Sequence, residues 1–237
     1  MAVAAFFDID GTLIARNSAP LYMRHLQETG QARRRDVART IYYVARYKLG
    51  LLDINRAVAV SLAWIRGRDE TRVRTDCDAW YADVIRPYLY PAMAATVEAH
   101  RRAGHVLALL TSATRYLAEP LAADLRIPNM LVTQLLVRDG RFTGEAVRPV
   151  CYGDGKIYWA ERFAADHGID LRRSYFYTDS ITDLPLLDRI GEPRIVNPDP
   201  RLRRTAGRRG WPVLRCRLDD QGSAFFTAEA AEQATPN

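Results

Sequence analysis

Apolar and polar positions along this chain follow two different periods. Val3 to Phe7 is a short unbroken apolar run that stops at Asp8 and is followed by Gly11-Thr12. Such a run reads as a buried strand that delivers polar residues at its carboxyl end. From about Asn17 to Pro87 the spacing turns helical. Ala38, Ile41, Tyr42, Ala45 and Leu49 form one stripe, closed by Gly50. Ile54, Ala57, Leu62 and Ile65 form a second, closed by Gly67, and Val73, Cys77, Trp80 and Val84 form a third. Glycines just past a periodic stretch are helix stops. Three or four helices in succession exceed a simple crossover between parallel strands. They read as an inserted helical module.

From Pro91 onward strands and helices alternate. Ala92 to Ala103 reads as a helix ended by Gly104, and Val106 to Leu110 as a strand followed by Thr111-Ser112-Ala113-Thr114 and a helix to about Leu125. Leu131 to Val137 and Arg141 to Gly144 flank Asp139-Gly140, a hairpin turn signal. A helix is expected from Ile157 to Asp166, a strand over Tyr175 to Tyr177 and a short helix around Leu184 to Asp188. Arg194 to Val196 and Val213 to Leu214 are weaker strand signals. The alternation predicts an α/β fold, a Rossmann-like parallel sheet with helices on both faces, plus the inserted all-helical module. Residues 1–16 and 88–218 are assigned to the core and 17–87 to the insertion. Residues 219–237, rich in Ala, Glu and Gln without a period, read as a flexible tail.

Composition changes this picture little. At 237 residues, 48% hydrophobic and 26% charged, the chain is in the ordinary globular range. No apolar run approaches the roughly 18–20 residues of a membrane span. The apolar start, without a basic n-region or cleavage signature, reads as a strand rather than a signal, so a cytoplasmic location is expected. Cys77, Cys151 and Cys216 are widely spaced, which points to reduced thiols. The net charge of +6 raises nucleic acid as a partner, but only Lys48 and Lys156 are lysines, and arginine is spread along the whole chain. The clusters Arg33 to Arg35 and Arg201 to Arg209 read first as solvated helix faces or ends, and second as attraction for an anionic substrate. No nucleic-acid partner is expected, and the sequence is silent on oligomeric state.

The chemistry starts at Asp8-Ile9-Asp10-Gly11-Thr12. Residues two apart in a strand share a face, so Asp8 and Asp10 converge where a parallel sheet ends, the place where open α/β folds bind ligands. Gly11 lets the chain turn and bring its amides near an anion. Ser112 follows the next strand, where its hydroxyl can face an anion or cap the following helix. Lys156 stands at a helix start against the helix dipole, which implies a partner charge from elsewhere. Asp179 and Asp183 follow a third strand. Capping and solvation would explain each residue singly. Together, converging carboxylates and a phosphate dianion repel one another, and a hard cation such as Mg²⁺ with oxygen ligands relieves this. The set suits phosphoryl transfer.

With these motifs in order, the chain resembles the haloacid dehalogenase superfamily, specifically its phosphoserine-phosphatase-like subfamily with a helical cap after the first motif. The resemblance runs from about Val3 to Leu214 and rests on Asp8-x-Asp10-Gly11-Thr12, Ser112, Lys156 and Asp179-Ser180-Ile181-Thr182-Asp183. It implies a Mg²⁺-dependent phosphomonoester hydrolase in which Asp8 is the nucleophile that forms an aspartyl-phosphate and Asp10 the general acid and base. It implies that Asp8, the Asp10 main-chain carbonyl and Asp179 hold the metal, with Asp183 acting directly or through water. Ser112, Lys156 and Gly11 would surround the phosphoryl group. The second aspartate favours phosphate chemistry over dehalogenation. Phosphoserine phosphatases carry Glu where Asn17 stands and Asn where Thr182 stands, both at substrate-contacting positions, so a small phosphomonoester other than phosphoserine is favoured. A phosphotransferase or mutase shares the same core residues, and the subfamily acts on phosphates of amino acids, amino alcohols such as histidinol, and lipids.

Overall fold

The computed structural model describes residues 1–32, 35, 38, 42 and 62–219. Among them, six strands form one parallel sheet in the order β3-β2-β1-β6-β7-β8. The strands are β1 (Ala4–Phe7), β2 (Val106–Thr114), β3 (Asn129–Thr133), β6 (Tyr175–Thr178), β7 (Glu192–Val196) and β8 (Val213–Leu214). The remaining two, β4 (Leu135–Arg138) and β5 (Arg141–Ala146), pair antiparallel around Asp139-Gly140. The expected run Leu131 to Val137 therefore divides at Gln134. Its first half pairs parallel with β2, and its second half leaves the sheet for the hairpin.

Strand β1 is an apolar run because both of its faces are covered. Ala5 and Phe7 pack into one hydrophobic cluster, with Met93 and Val97 of α3 (Pro91–Arg102) and Leu121 of α4 (Arg115–Asp124). Ala4 and Phe6 pack into the other, with Phe163 of α5 (Asp154–His167), Leu186 of α6 (Leu184–Leu187) and Leu202 of α7 (Pro200–Arg209). The chain builds outward from β1 through β2 to β3, then returns to place β6 on the other side of β1. That reversal opens a crevice at the carboxyl ends of β1 and β6.

Within residues 17–87, expected to form the insertion, the helices α1 (Ser18–Glu28) and α2 (Glu70–Trp80) are described. Most of the first two sequence stripes lie outside the described residues, among them Ile41, Ala45, Leu49, Ile54 and Ala57. Leu62 and Ile65 are buried as that spacing predicts. The third stripe holds through Val73, Cys77 and Trp80 and then departs from expectation. A π-helical turn over Tyr81–Ile85 advances the register, burying Tyr81 and Ile85 and leaving Val84 only half-buried. Tyr22 of α1 packs edge-on against Trp80 at 5.1 Å, joining the two helices. The hairpin docks on the same module: Gly67 N–H donates to the Phe142 carbonyl at 2.8 Å, Phe142 N–H to Arg68 at 3.0 Å and Glu70 N–H to Gly140 at 2.9 Å. The tail, apart from Asp219, lies outside the described residues.

Candidate active site

A cleft of about 970 Å³ lies at the crevice between β1 and β6. Asp8, Asp10, Gly11, Ser112, Lys156, Asp179 and Asp183 all line it, as do Asn17 and Thr182, so the fold brings every sequence-predicted site residue together. Asp8 continues β1 by donating its N–H to the Tyr177 carbonyl at 3.0 Å. This fixes its carboxylate at the sheet end with little exposure.

Lys156 comes to this carboxylate from α5. Its Nζ donates to Asp183 Oδ2 at 2.8 Å and lies 3.4 Å from Asp8 Oδ1. The partner charges that its position at a helix start implied are thus Asp183 and Asp8. Burial opposes a charge on Lys156, yet Asp183 and Asp8 outweigh it and hold the ammonium protonated. Gly155 allows the approach, because a Cβ there would sit 1.9 Å from the Val150 carbonyl oxygen. Asp183 is itself almost fully enclosed and also accepts from Thr178 Oγ1 at 2.6 Å. Its Oδ2 is thereby committed to positioning Lys156.

Asp10 is held differently. Ser18, the first residue of α1, donates its backbone N–H to Oδ1 at 2.8 Å and its hydroxyl to Oδ2 at 3.1 Å. Burial pushes the Asp10 carboxyl up to about 6, against these two hydrogen bonds. Asn17 caps the same helix, its side chain accepting from Ala19 N–H at 3.1 Å. Thr182 pairs its hydroxyl with Ser180 at 2.9 Å. Both neutral side chains are therefore partly committed to local structure.

Ser112 departs from one of its two sequence readings. Strand β2 continues through Thr114 with a register shift after Leu110, and no side chain caps α4, so Ser112 is not a helix cap. It stands exposed at the end of the strand, facing the cleft, with its carbonyl anchored by the Thr133 hydroxyl at 2.9 Å.

Asp179 closes the group. It follows β6 and packs against Gly11, whose φ of +73° and missing side chain make room: a Cβ there would fall 2.3 Å from Asp179 Oδ2. Burial, then the charges of Asp8 and Asp183, push the Asp179 carboxyl up to about 8. Burial likewise raises Asp8, against the pull of Lys156. Among the described residues no three acidic, histidine or cysteine side chains form a closed cage for an ion. The donor set is instead two buried, crowded carboxylates, Asp8 and Asp179, and at Asp179 the neighbouring charges of Asp8 and Asp183 add to burial in leaving a deficit of positive charge. An oxygen-seeking divalent cation fits that deficit.

Sequence reading missed Asp199. Its carboxylate caps α7 by accepting from Arg201 N–H at 2.7 Å and Leu202 N–H at 3.0 Å, and it also accepts from Ile181 N–H at 2.6 Å. It thereby clamps the loop carrying Asp179 and Asp183. The Asp199-Pro200 pair is a helix-start signature that would have marked the cap, though not the clamp. Ser18 was missed too. The three cysteines are buried thiols, and burial pushes the Cys151 thiol, near the site, up to about 12.

The family model described as haloacid dehalogenase-like hydrolase matches residues 5–188. The chain belongs to this family. Its haloacid dehalogenase-like relatives include a phosphoserine phosphatase of Mycobacterium tuberculosis, 31% identical over 92% of this chain and 72% of that protein. A histidinol-phosphatase of Neisseria meningitidis is also 31% identical, over 89% of this chain and 97% of that one. Among solved structures, a Bordetella pertussis protein of unknown function superposes with a TM-score of 0.83 at 30% identity, covering 92% of this chain and 99% of that one. Within the haloacid dehalogenase-like core, the parallel sheet and the order of motifs agree with the subfamily that the sequence resembled. No helix among the described residues is long and apolar enough to cross a membrane.

Proposed function

We propose that this protein is a magnesium-dependent phosphatase that hydrolyses small phosphomonoesters through a phosphorylated Asp8. One observation carries the reading: Asp8 lies 3.4 Å from the ammonium of Lys156, while Asp10, two residues on, is held separately by two hydrogen bonds from Ser18. One carboxylate is thus arranged to attack and the other to donate a proton. The named activities of the two relatives, both phosphatases, agree with it.

In this mechanism an Asp8 oxygen attacks phosphorus as the bond from phosphorus to the leaving oxygen breaks. Asp10 gives its proton to that oxygen, releasing the alcohol. A water molecule then attacks the same phosphorus, Asp10 takes a proton from the water, and the bond to Asp8 breaks to free phosphate. Lys156 and Ser112 hold phosphoryl oxygens, and the Gly11 turn brings backbone close to them. Asp8, Asp179 and the Asp10 main-chain carbonyl would hold Mg²⁺, which when bound supplies positive charge to the carboxylates and the phosphate. Asp183 acts by positioning Lys156.

The leaving group is read by what the cleft lacks. Asn17 and Thr182 are neutral and tied to Ala19 and Ser180, so at these positions a substrate ammonium finds no carboxylate, and burying it unpaired would be unfavourable. Phosphoserine is therefore a secondary substrate. Phosphate release from a panel of phosphomonoesters tests the proposal. Turnover should require Mg²⁺, stop with chelator and stop in Asp8→Asn; near-native turnover by that variant would refute it. If phosphoserine leads the panel tenfold or more in kcat/KM, about 1.4 kcal/mol in transition-state binding, the reading of Asn17 is wrong.

A further inference from the structure

The arginine cluster of α7 lies beside the catalytic cleft. Arg201 and Arg204 line the cleft itself, and with Ile181 they also line an adjoining groove of about 670 Å³. The rest of that groove is Thr205, Gly207 and Arg208. Arg201, Arg204 and Arg208 stand three and four residues apart, so their side chains share one helix face. The groove thus holds three guanidinium groups and no acidic side chain.

Among the described residues nothing offsets these charges. No ion pair joins Arg201, Arg204 or Arg208 to a carboxylate among the described residues, whereas Arg209, the next residue, pairs with Asp188 and lies over Trp211. Asp199, the nearest acid along the chain, is already committed to three backbone N–H groups. Like charges at these spacings repel, and Arg201 lies in the first turn of the helix, where the helix dipole disfavours cations. An anion brought to the groove would relieve that repulsion. The planar guanidinium fork matches phosphate and carboxylate oxygens.

We propose that the substrate is a phosphomonoester bearing a second anionic group, phosphate or carboxylate, which the Arg201–Arg204–Arg208 groove binds while the scissile phosphate sits at Asp8. This rests on the phosphatase reading and deepens it. The substrate class becomes bis-anionic, and the groove sets specificity by reaching a group remote from the reacting bond.

The test compares alkanediol bisphosphates and phosphooxy-alkanoates of increasing chain length with alkyl monophosphates of matched length. Wild-type kcat/KM should favour the bis-anionic esters tenfold or more at one best length, and the better of the two series identifies the second group. Arg201→Gln/Arg204→Gln should abolish that preference; if the double variant folds poorly, Arg204→Gln alone should reduce it. Arg203→Gln removes an equal charge from the same helix but lines neither cavity, so it should keep the preference. Equal kcat/KM for bis-anionic and alkyl esters, or an undiminished preference in the double variant, overturns the proposal and leaves the phosphatase reading intact. Failure to hydrolyse any ester overturns the phosphatase reading instead. Calorimetric titration with the same compounds then reads the groove without turnover: tenfold tighter binding of the bisphosphates supports it, and equal binding overturns it.

Discussion

Replacing Asp179 by Asn should make the protein more stable when no divalent cation is present. The Asp179 carboxyl is raised from its ordinary value of 3.8 to about 8, first by burial and then by Asp8 and Asp183. A raised folded-state pKa favours folding in the protonated form. That contribution is fully present below the unfolded value and is lost as pH rises through about 8. At 1.36 kcal/mol for each tenfold change in proton affinity, the gap amounts to roughly 5–6 kcal/mol at most. Asp179 is partly open to solvent, which screens the repulsion, so about 2–4 kcal/mol is the expected effect. Asparagine keeps the shape and carries no charge to repel. Urea denaturation in chelator should therefore show Asp179→Asn more stable than wild type by that amount near pH 8, with the gap narrowing toward about pH 5. Mg²⁺ at pH 8 should raise the wild-type midpoint, because an ion binding only the folded state stabilises it, and should raise the variant's much less. A variant no more stable than wild type at pH 8, or a gap that does not widen with pH, would refute the reasoning.

Three other perturbations probe the remaining contacts. Ser18→Ala removes the hydroxyl bond to Asp10 but keeps the backbone one, so kcat/KM should fall about 3–10-fold, and the alkaline limb of its pH profile should move upward as Asp10 holds its proton more tightly. An unmoved limb would mean that Ser18 serves only the helix. Lys156→Met should cost about 3–5 kcal/mol by leaving Asp183 and Asp8 unpaired, and adding Asp183→Asn should restore at least ~2 kcal/mol of stability without restoring turnover; additive losses on urea denaturation would show that the pair is not coupled. Gly11→Ala forces a side chain into a left-handed backbone at a cost of about 1–2 kcal/mol and displaces Asp179, so Mg²⁺ should no longer raise its melting midpoint. Normal stabilisation by Mg²⁺ would place Asp179 outside the metal site.

The residues legible in the sequence are those whose position follows from strand ends. Asp8, Asp10, Asp179 and the polar stretch at Ser112 each follow an apolar run, and a parallel sheet gathers such ends on one edge. Lys156 was legible because a cation in the first turn of a helix needs a reason. Ser18 and Asp199 were not, because serine and aspartate at helix starts already have a sufficient role as caps or first-turn residues. Their second role depends on which carboxylate or amide another segment brings alongside. The division of Leu131 to Val137 was hidden because a strand that continues and one that changes partner share the same apolar pattern. The π-helical turn was hidden because helical spacing extrapolates smoothly to Val84, whereas the extra residue in the turn moves burial to Tyr81 and Ile85. For Arg201 and Arg204, one periodicity fits both a solvated face and a groove wall.

The docked hairpin bears on how this protein can be re-engineered. An exchange of the segment expected to be inserted, residues 17–87, would be planned at two junctions, near Asn17 and near Tyr88. Here a third seam exists, the backbone bonds from Gly67, Arg68 and Glu70 to Gly140 and Phe142. A chimera cut at two junctions alone would strand these donors and acceptors and expose Phe142, which is almost fully buried. If residues 17–87 are exchanged as the expected insertion, the unit to move is therefore discontinuous, and the hairpin of residues 135–146 should travel with it.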